Sequence, residues 1–155
     1  AYIRLAREKT PVITTDSTPF KIGRAEVYWT TDNPKAGIIA TGALLHKALL
    51  AAKELSDKDI EVEVMNLSTI KPLDKEAILE FAKRCKKIVT VEEHQRAGGM
   101  GSAVAEFLIQ NYPVPMEILG IDDQFGQSGT PEELIEHFGL DKDSIIKAAR
   151  KILKR

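Results

Sequence analysis

The pattern of apolar and polar positions predicts strands and helices from about residue 25 onward. Short apolar runs predict the first two strands, and the few residues between these runs leave no room for a crossover helix. Further on, runs of strand length alternate with segments whose apolar residues recur at helical spacing. The predicted strands lie at 25–29, 37–41, 60–67, 87–92 and 116–121, and the predicted helices between them at 43–55, 75–84 and 101–111.

This alternation predicts an α/β fold, because strand–helix repeats build a largely parallel sheet with helices on both faces. The first two strands are an exception. Their short connection predicts that they run in opposite directions, and local geometry alone would pair them as neighbours.

The last part of the chain is predicted to be helical, with clear signals at the helix ends. Thr130 can cap a helix that begins at Pro131, and Glu133 can reach back to the cap. Gly139 can end that helix in the left-handed conformation, and Asp141 can cap a final helix that runs to about residue 153.

Composition narrows the class of protein. Apolar residues make up 43% of the 155 residues, enough for a full core, and 22 basic side chains nearly balance 23 acidic ones. Such a balance argues against binding to nucleic acid or to an anionic membrane surface. The chain has one cysteine, Cys85, and neither a membrane-length apolar run nor a signal-peptide pattern. We therefore expect a cytoplasmic protein, and its abrupt first residues suggest a fragment of a longer polypeptide.

The most informative stretch leads from a predicted strand through Glu92, Glu93 and His94 into a turn containing Gly98, Gly99 and Gly101. Ligands and neighbouring domains collect at the carboxyl ends of parallel strands. The charged cluster could exchange protons with a substrate, but no nucleophile or metal set accompanies it, so an interface is the favoured interpretation. Cys85 and the three histidines do not fall at metal-ligand spacing, and no metal site is expected.

The glycine turn also admits a nucleotide-binding interpretation. Gly99 and Gly101 follow a strand and open a helix, and Asp122 and Asp123 lie about 20 residues further on. Against it, Val104 stands where a third glycine is expected, and the turn after the predicted strand is long.

A second loop, from Asp122 to Gly129, leaves the carboxyl end of the last predicted strand. It contains Asp123 and a single aromatic residue, Phe125. Loops of this kind are either solvated connectors or docking surfaces, and both interpretations stay open.

Taken together, the glycine turn, the charged cluster and the second loop resemble the carboxyl-terminal domain of transketolase, particularly the carboxyl-terminal subunit of the split form. Deoxyxylulose-phosphate synthase and the β subunit of 2-oxo acid dehydrogenases share this domain, and the second loop favours transketolase. The segments that carry the resemblance are 37–42, 68–74, Val91-Glu92-Glu93-His94, Gly98-Gly99-Met100-Gly101-Ser102-Ala103-Val104 and 119–134.

The resemblance implies a three-layer α/β/α domain with a five-stranded mixed sheet in the order 1-3-2-4-5 and one antiparallel edge strand. It implies thiamine diphosphate with a divalent metal in the parent enzyme, and transfer of a two-carbon ketol unit between sugar phosphates. In this family those ligands are held by the other two domains, and this chain lacks a Gly-Asp-Gly diphosphate–metal motif. We therefore expect no cofactor, no metal and no catalytic residue in this chain, and inactivity when it is alone.

The same resemblance assigns residues 1–7 to the end of a pyrimidine-binding domain, 8–23 to a linker and 24–155 to the carboxyl-terminal domain. Arg7 matches an arginine that contacts the sugar phosphate in the family. The implied partners are a second copy of the chain, the cofactor-binding domains or subunit, or both. A stand-alone module that binds a nucleotide or small anion at the glycine turn is the alternative.

Overall fold

The computed structural model describes residues 1–3, 5 and 9–155, which contain five strands and five helices. The predicted elements are all present, with ends shifted by a few residues. The strands are β1 (Glu26–Trp29), β2 (Ala36–Ala40), β3 (Val62–Asn66), β4 (Ile88–Gln95) and β5 (Met116–Ile121), and the helices are α1 (Leu44–Ser56), α2 (Lys75–Cys85), α3 (Met100–Asn111), α4 (Pro131–His137) and α5 (Lys142–Leu153).

The five strands form one mixed sheet in the order β1-β3-β2-β4-β5. β2, β3, β4 and β5 are parallel, and β1 lies antiparallel to β3 at one edge. The order implied by the resemblance is confirmed, whereas the pairing of β1 with β2 expected from local geometry is wrong. β2 is buried along its whole length and β1 only in part. A strand so fully buried belongs between two parallel neighbours, and β1 takes the edge.

Helices cover both faces of the sheet, which confirms the three-layer α/β/α fold. On one face α1 and α5 enclose a core that includes Leu55, Val64 and Ile145. On the other face α2 and α3 enclose a second core that includes Phe81 and Leu108.

The predicted helix caps are present at α4 and α5. The Thr130 N–H donates to Glu133 Oε2 at 2.8 Å, and the Glu133 N–H donates to Thr130 Oγ1 at 3.4 Å. The hydrogen bond from the Thr130 backbone lowers the pKa of the Glu133 carboxyl. Gly139 has a φ of +66°, and Asp141 accepts from the Ser144 N–H at 3.1 Å.

The chain before β1 is held to α2 through Asp74, which caps that helix. The nearly buried Asp74 carboxylate accepts from the Ala77 N–H at 3.2 Å and from the Ala25 N–H at 2.9 Å. Earlier residues are less enclosed: Tyr2 is 90% exposed and Phe20 73%. The assignment of 1–7 and 8–23 to a preceding domain and a linker stays a prediction.

Candidate functional site at the carboxyl edge of the sheet

The charged cluster and the second loop both lie at the carboxyl edge of the sheet. β4 and β5 are parallel neighbours, so the chain leaves both strands on the same side. From β4 the chain passes through a short turn into α3, and from β5 it passes through residues 122–130 into α4. The fold thus brings together two segments that are separated by more than 20 residues in sequence.

Glu92 does not face solvent, in contrast to the interface role expected for it. Its side chain is 0% exposed, and it accepts hydrogen bonds from the first turn of α3. The Met100 N–H donates to Oε2 at 2.6 Å, and the Gly101 N–H donates to Oε1 at 2.7 Å. A buried carboxylate that meets two free backbone donors at the positive end of a helix is well stabilised. Glu92 is therefore an internal cap that joins β4 to α3.

The three glycines of the turn serve different purposes. Gly98 has a φ of +76°, a conformation that favours glycine. Gly99 and Gly101 have no such backbone requirement, but a Cβ at either would overlap its neighbours. At Gly99 it would lie 2.5 Å from Glu92 Oε2, and at Gly101 2.5 Å from Thr90 Oγ1. These two glycines therefore make room for the buried carboxylate and for the close packing of α3 on β4.

This arrangement bears directly on the nucleotide-binding interpretation. A phosphate bound at the start of α3 would need the N–H groups of Met100 and Gly101, which already donate to Glu92. It would also have to displace a buried carboxylate of its own charge. The glycine turn resembles a phosphate-binding turn in sequence, but its anion is Glu92.

Glu93 and His94 lie within β4, which runs three residues beyond its predicted end. Both are exposed. The pairing of β4 with β5 is irregular between Val91 and Gln95, so this end of the strand departs from the regular ladder. Their side chains are thus available at the carboxyl edge, while Glu92 beside them is internal.

Arg96, which the sequence reasoning missed, joins the two segments. Its backbone N–H donates to the Ile121 carbonyl at 3.0 Å, and its side-chain Nε lies 2.9 Å from Asp122 Oδ1. The Ser102 hydroxyl donates to the Arg96 carbonyl at 2.6 Å, and Ser102 Oγ in turn accepts from the Gly98 N–H at 3.0 Å. A basic residue between the charged cluster and the glycines, with an acidic pair after the next strand, was the available signal.

Beyond Asp122 the second loop extends into solvent. Residues 122–129 are all exposed, and the Phe125 side chain is 94% exposed. At Gly126 an added Cβ would meet nothing within 4 Å. The ion pair of Asp122 with Arg96 holds one end of the loop and the Thr130–Glu133 capping box the other. Asp123 lies between Asp122 and the phenyl ring and is exposed as well.

Among the residues that the structure describes, no group of three or more His, Cys, Asp or Glu side chains is arranged to hold a metal ion. In the same part of the chain, no helix has the length and apolar content required to cross a membrane. Arg7, the expected sugar-phosphate contact, lies outside the described residues.

Comparison with known proteins identifies the family. Residues 24–145 match the family model for the transketolase C-terminal domain. The chain is 40% identical over 154 residues to the 6-deoxy-6-sulfo-D-fructose transketolase subunit SqwH of Clostridium sp. (strain MSTE9), covering 99% of this chain and 47% of that protein. It is 36% identical over 155 residues to rat transketolase, covering 99% of this chain and 25% of that protein.

Solved structures agree with this assignment. A split-gene transketolase, described as an inactive β4 tetramer, superposes with a TM-score of 0.90 at 37% identity, covering 96% of this chain and 48% of that one. A transketolase R525L variant from Pichia stipitis, at 20% identity and a TM-score of 0.62 over 84% of this chain and 18% of that one, supports the fold alone. The chain spans about half the length of the transketolase subunits that it matches and a quarter of the length of rat transketolase. It belongs to the transketolase C-terminal domain family.

Proposed function

We propose that this chain is the assembly domain of a transketolase whose chemistry is performed by its cofactor-binding part. That part would transfer a two-carbon ketol unit between sugar phosphates, with thiamine diphosphate and a divalent metal. The family match over most of the chain supports the assignment. The chain covers about half of the length of one relative and a quarter of another, which leaves room in those proteins for the other domains.

The observation that carries the assembly role is the internal use of Glu92. At the carboxyl edge, where an α/β domain usually binds its ligand, the α3 N-terminus is occupied by this domain's own carboxylate. The described residues also lack a metal-ligand group for the diphosphate site. We therefore assign the catalytic steps to the cofactor-binding part of the enzyme.

The groups that remain available at the same edge suit contact with another protein surface. They are Glu93 and His94 at the end of β4, the turn at Gly98, and Asp123 and Phe125 in the second loop. We propose that they meet the cofactor-binding part of the enzyme, a second copy of the chain, or both. The tetramer named for the split-gene relative supports such oligomeric assembly.

Three further assignments belong to the same proposal. Residues 1–7 end the pyrimidine-binding domain, 8–23 form the linker, and 24–155 form the assembly domain. Arg7 contacts the substrate phosphate from the first of these, because a guanidinium binds phosphate through paired donors. The start of the family match at residue 24 supports the boundary.

The proposal predicts that the purified chain alone neither binds thiamine diphosphate tightly nor transfers ketol groups. Calorimetry with thiamine diphosphate, NAD and ATP measures binding, and a ketol-transfer assay with sugar phosphates measures activity. The assay is repeated after the cofactor-binding part of the enzyme has been added as a positive control. A measurable rate from the chain alone would contradict the assembly role, and micromolar binding of a nucleotide would favour the stand-alone module.

The association surface is tested by replacing His94 and Phe125 together with alanine. We expect the double variant to associate more weakly at matched concentrations and to keep the parent's unfolding midpoint, because both side chains are exposed. Ile109→Ala, which truncates a 68% exposed side chain on α3, is the matched control. Unchanged sedimentation of the double variant would identify both segments as solvated connectors.

A further inference from the structure

The ion pair between Arg96 and Asp122 contributes little to folding. The two side chains are 47% and 69% exposed, and exposed pairs contribute at most about 1 kcal/mol to stability. The core and the Arg96 backbone hydrogen bond to Ile121 already hold β4 against β5. The guanidinium pairs with Asp122, the first residue of the second loop, at the point where the loop leaves the domain.

Phe125 lies three residues beyond this pair, and its ring has almost no cover from its own chain. The flanking loop residues, including Gly126, are exposed. A single phenyl ring on a loop fixed at both ends resembles the aromatic anchors that dominate binding energy in protein interfaces. Fixing the loop beforehand reduces the conformational entropy that would be lost on docking.

The charge around this loop indicates the chemistry of its partner. From Asp122 to His137, which covers the second loop and α4, the sequence contains no lysine or arginine and five acidic residues. Asp123 lies next to the loop's tip and is exposed, and Glu93, which precedes this stretch in sequence, is exposed at the end of β4. An acidic surface around an apolar anchor complements an apolar pocket with a basic rim.

We propose that Phe125 is the anchor by which this domain docks into an apolar pocket rimmed by lysine or arginine on the cofactor-binding part of the enzyme. Arg96 is the positioning residue that sets the direction of the loop through Asp122. The inference rests on the proposed function only for the identity of the partner. The exposed ring of Phe125, the ion pair at the start of its loop and the acidic residues near it are all features of this chain.

The test measures the affinity of this chain for the cofactor-binding part of the enzyme, produced as a separate polypeptide, by calorimetry. Phe125→Ala should weaken binding at least tenfold and Phe125→Leu much less, because leucine keeps an apolar side chain. Arg96→Gln should weaken binding by about fivefold, the equivalent of an exposed ion pair, without moving the unfolding midpoint. Asp123→Lys should weaken binding and reduce its dependence on salt.

A reversed pair separates positioning from net charge. Arg96→Asp and Asp122→Arg change the net charge in opposite directions, so a loss of binding in both would not be an effect of charge alone. The two together should restore most of the binding, because the reversed side chains can form the ion pair again. Restoration would support the positioning role, and additive losses would overturn it. Binding by the parent that is insensitive to Phe125 would overturn the anchor while leaving the proposed function intact. Failure of the parent chain to bind at all would overturn both.

Discussion

At the scale of single residues, the carboxylate of Glu92 is satisfied by the backbone of one helix. Two buried N–H groups at the start of α3 lose their partner if this side chain is removed, and an unsatisfied buried donor costs about 1–3 kcal/mol. Gly99 has an extended φ of −84°, so its importance lies in the space beside Glu92 and not in its backbone conformation.

Replacing Gly99 with valine should destabilise the domain by about 1–3 kcal/mol, because the added carbons overlap the Glu92 carboxylate and the Gln95 carbonyl. Gly126→Val, at a glycine with open space around it, is the matched control and should change stability little. Urea unfolding followed by circular dichroism measures both. Equal midpoints for the two variants would show that the turn tolerates a side chain.

At the scale of elements, α1 and α5 are joined on one face of the sheet by an ion pair. Lys142 Nζ lies 2.5 Å from Glu54 Oε2, and Lys58 Nζ lies 2.7 Å from Oε1. The hydrogen bond from Lys142, and after it that from Lys58, lowers the pKa of Glu54 from its ordinary 4.5 to about 2. The ionised carboxylate is therefore favoured in the folded chain.

The lowered pKa predicts how stability depends on pH. The contribution of Glu54 to the free energy of unfolding should be fully present above about pH 4.5 and should be lost as the pH falls towards about 2. The reason is that, as the pH falls, this carboxylate is protonated in the unfolded chain before it is protonated in the folded one. Glu54→Gln should reduce stability at pH 7 and flatten its fall in acid, whereas Glu136→Gln, at an exposed position on α4, serves as the control. Identical pH profiles for parent and Glu54→Gln would exclude this linkage.

At the scale of the whole molecule, two cores lie on opposite faces of one sheet. Trp29, the single tryptophan, packs against the core under α1 and α5, and Leu108 belongs to the core under α2 and α3. Every strand borders both faces, so loss of one core removes the support of the other. Domains of this size usually unfold in a single transition.

Replacing Leu108 with alanine should therefore lower the unfolding midpoint seen by Trp29 fluorescence, although the two residues lie on opposite faces. The expected cost is about 2–5 kcal/mol, and fluorescence and far-ultraviolet circular dichroism should give the same midpoint. Leu55→Ala, in the same core as Trp29, provides the comparison. Two separated transitions in the Leu108 variant would show that the faces unfold independently.

The sequence by itself determined the elements and their caps. The apolar spacing of helices and strands involves residues only a few positions apart, and so do the capping hydrogen bonds between Thr130 and Glu133. Such features can therefore be predicted from the sequence alone. The parallel alternation after β2 also placed both candidate loops at the carboxyl edge. The resemblance to transketolase supplied the strand order, which local geometry did not.

Only the tertiary structure decided what these residues contact. β1 pairs with β3 because burial of β2 between parallel strands outweighs the short connection. Glu92 is buried because the first turn of α3 packs against β4. Arg96 contacts Asp122 because β5 lies beside β4. The Arg96–Asp122 pair joins residues 26 positions apart and depends on strand order and on helix packing across the sheet, which no local spacing encodes.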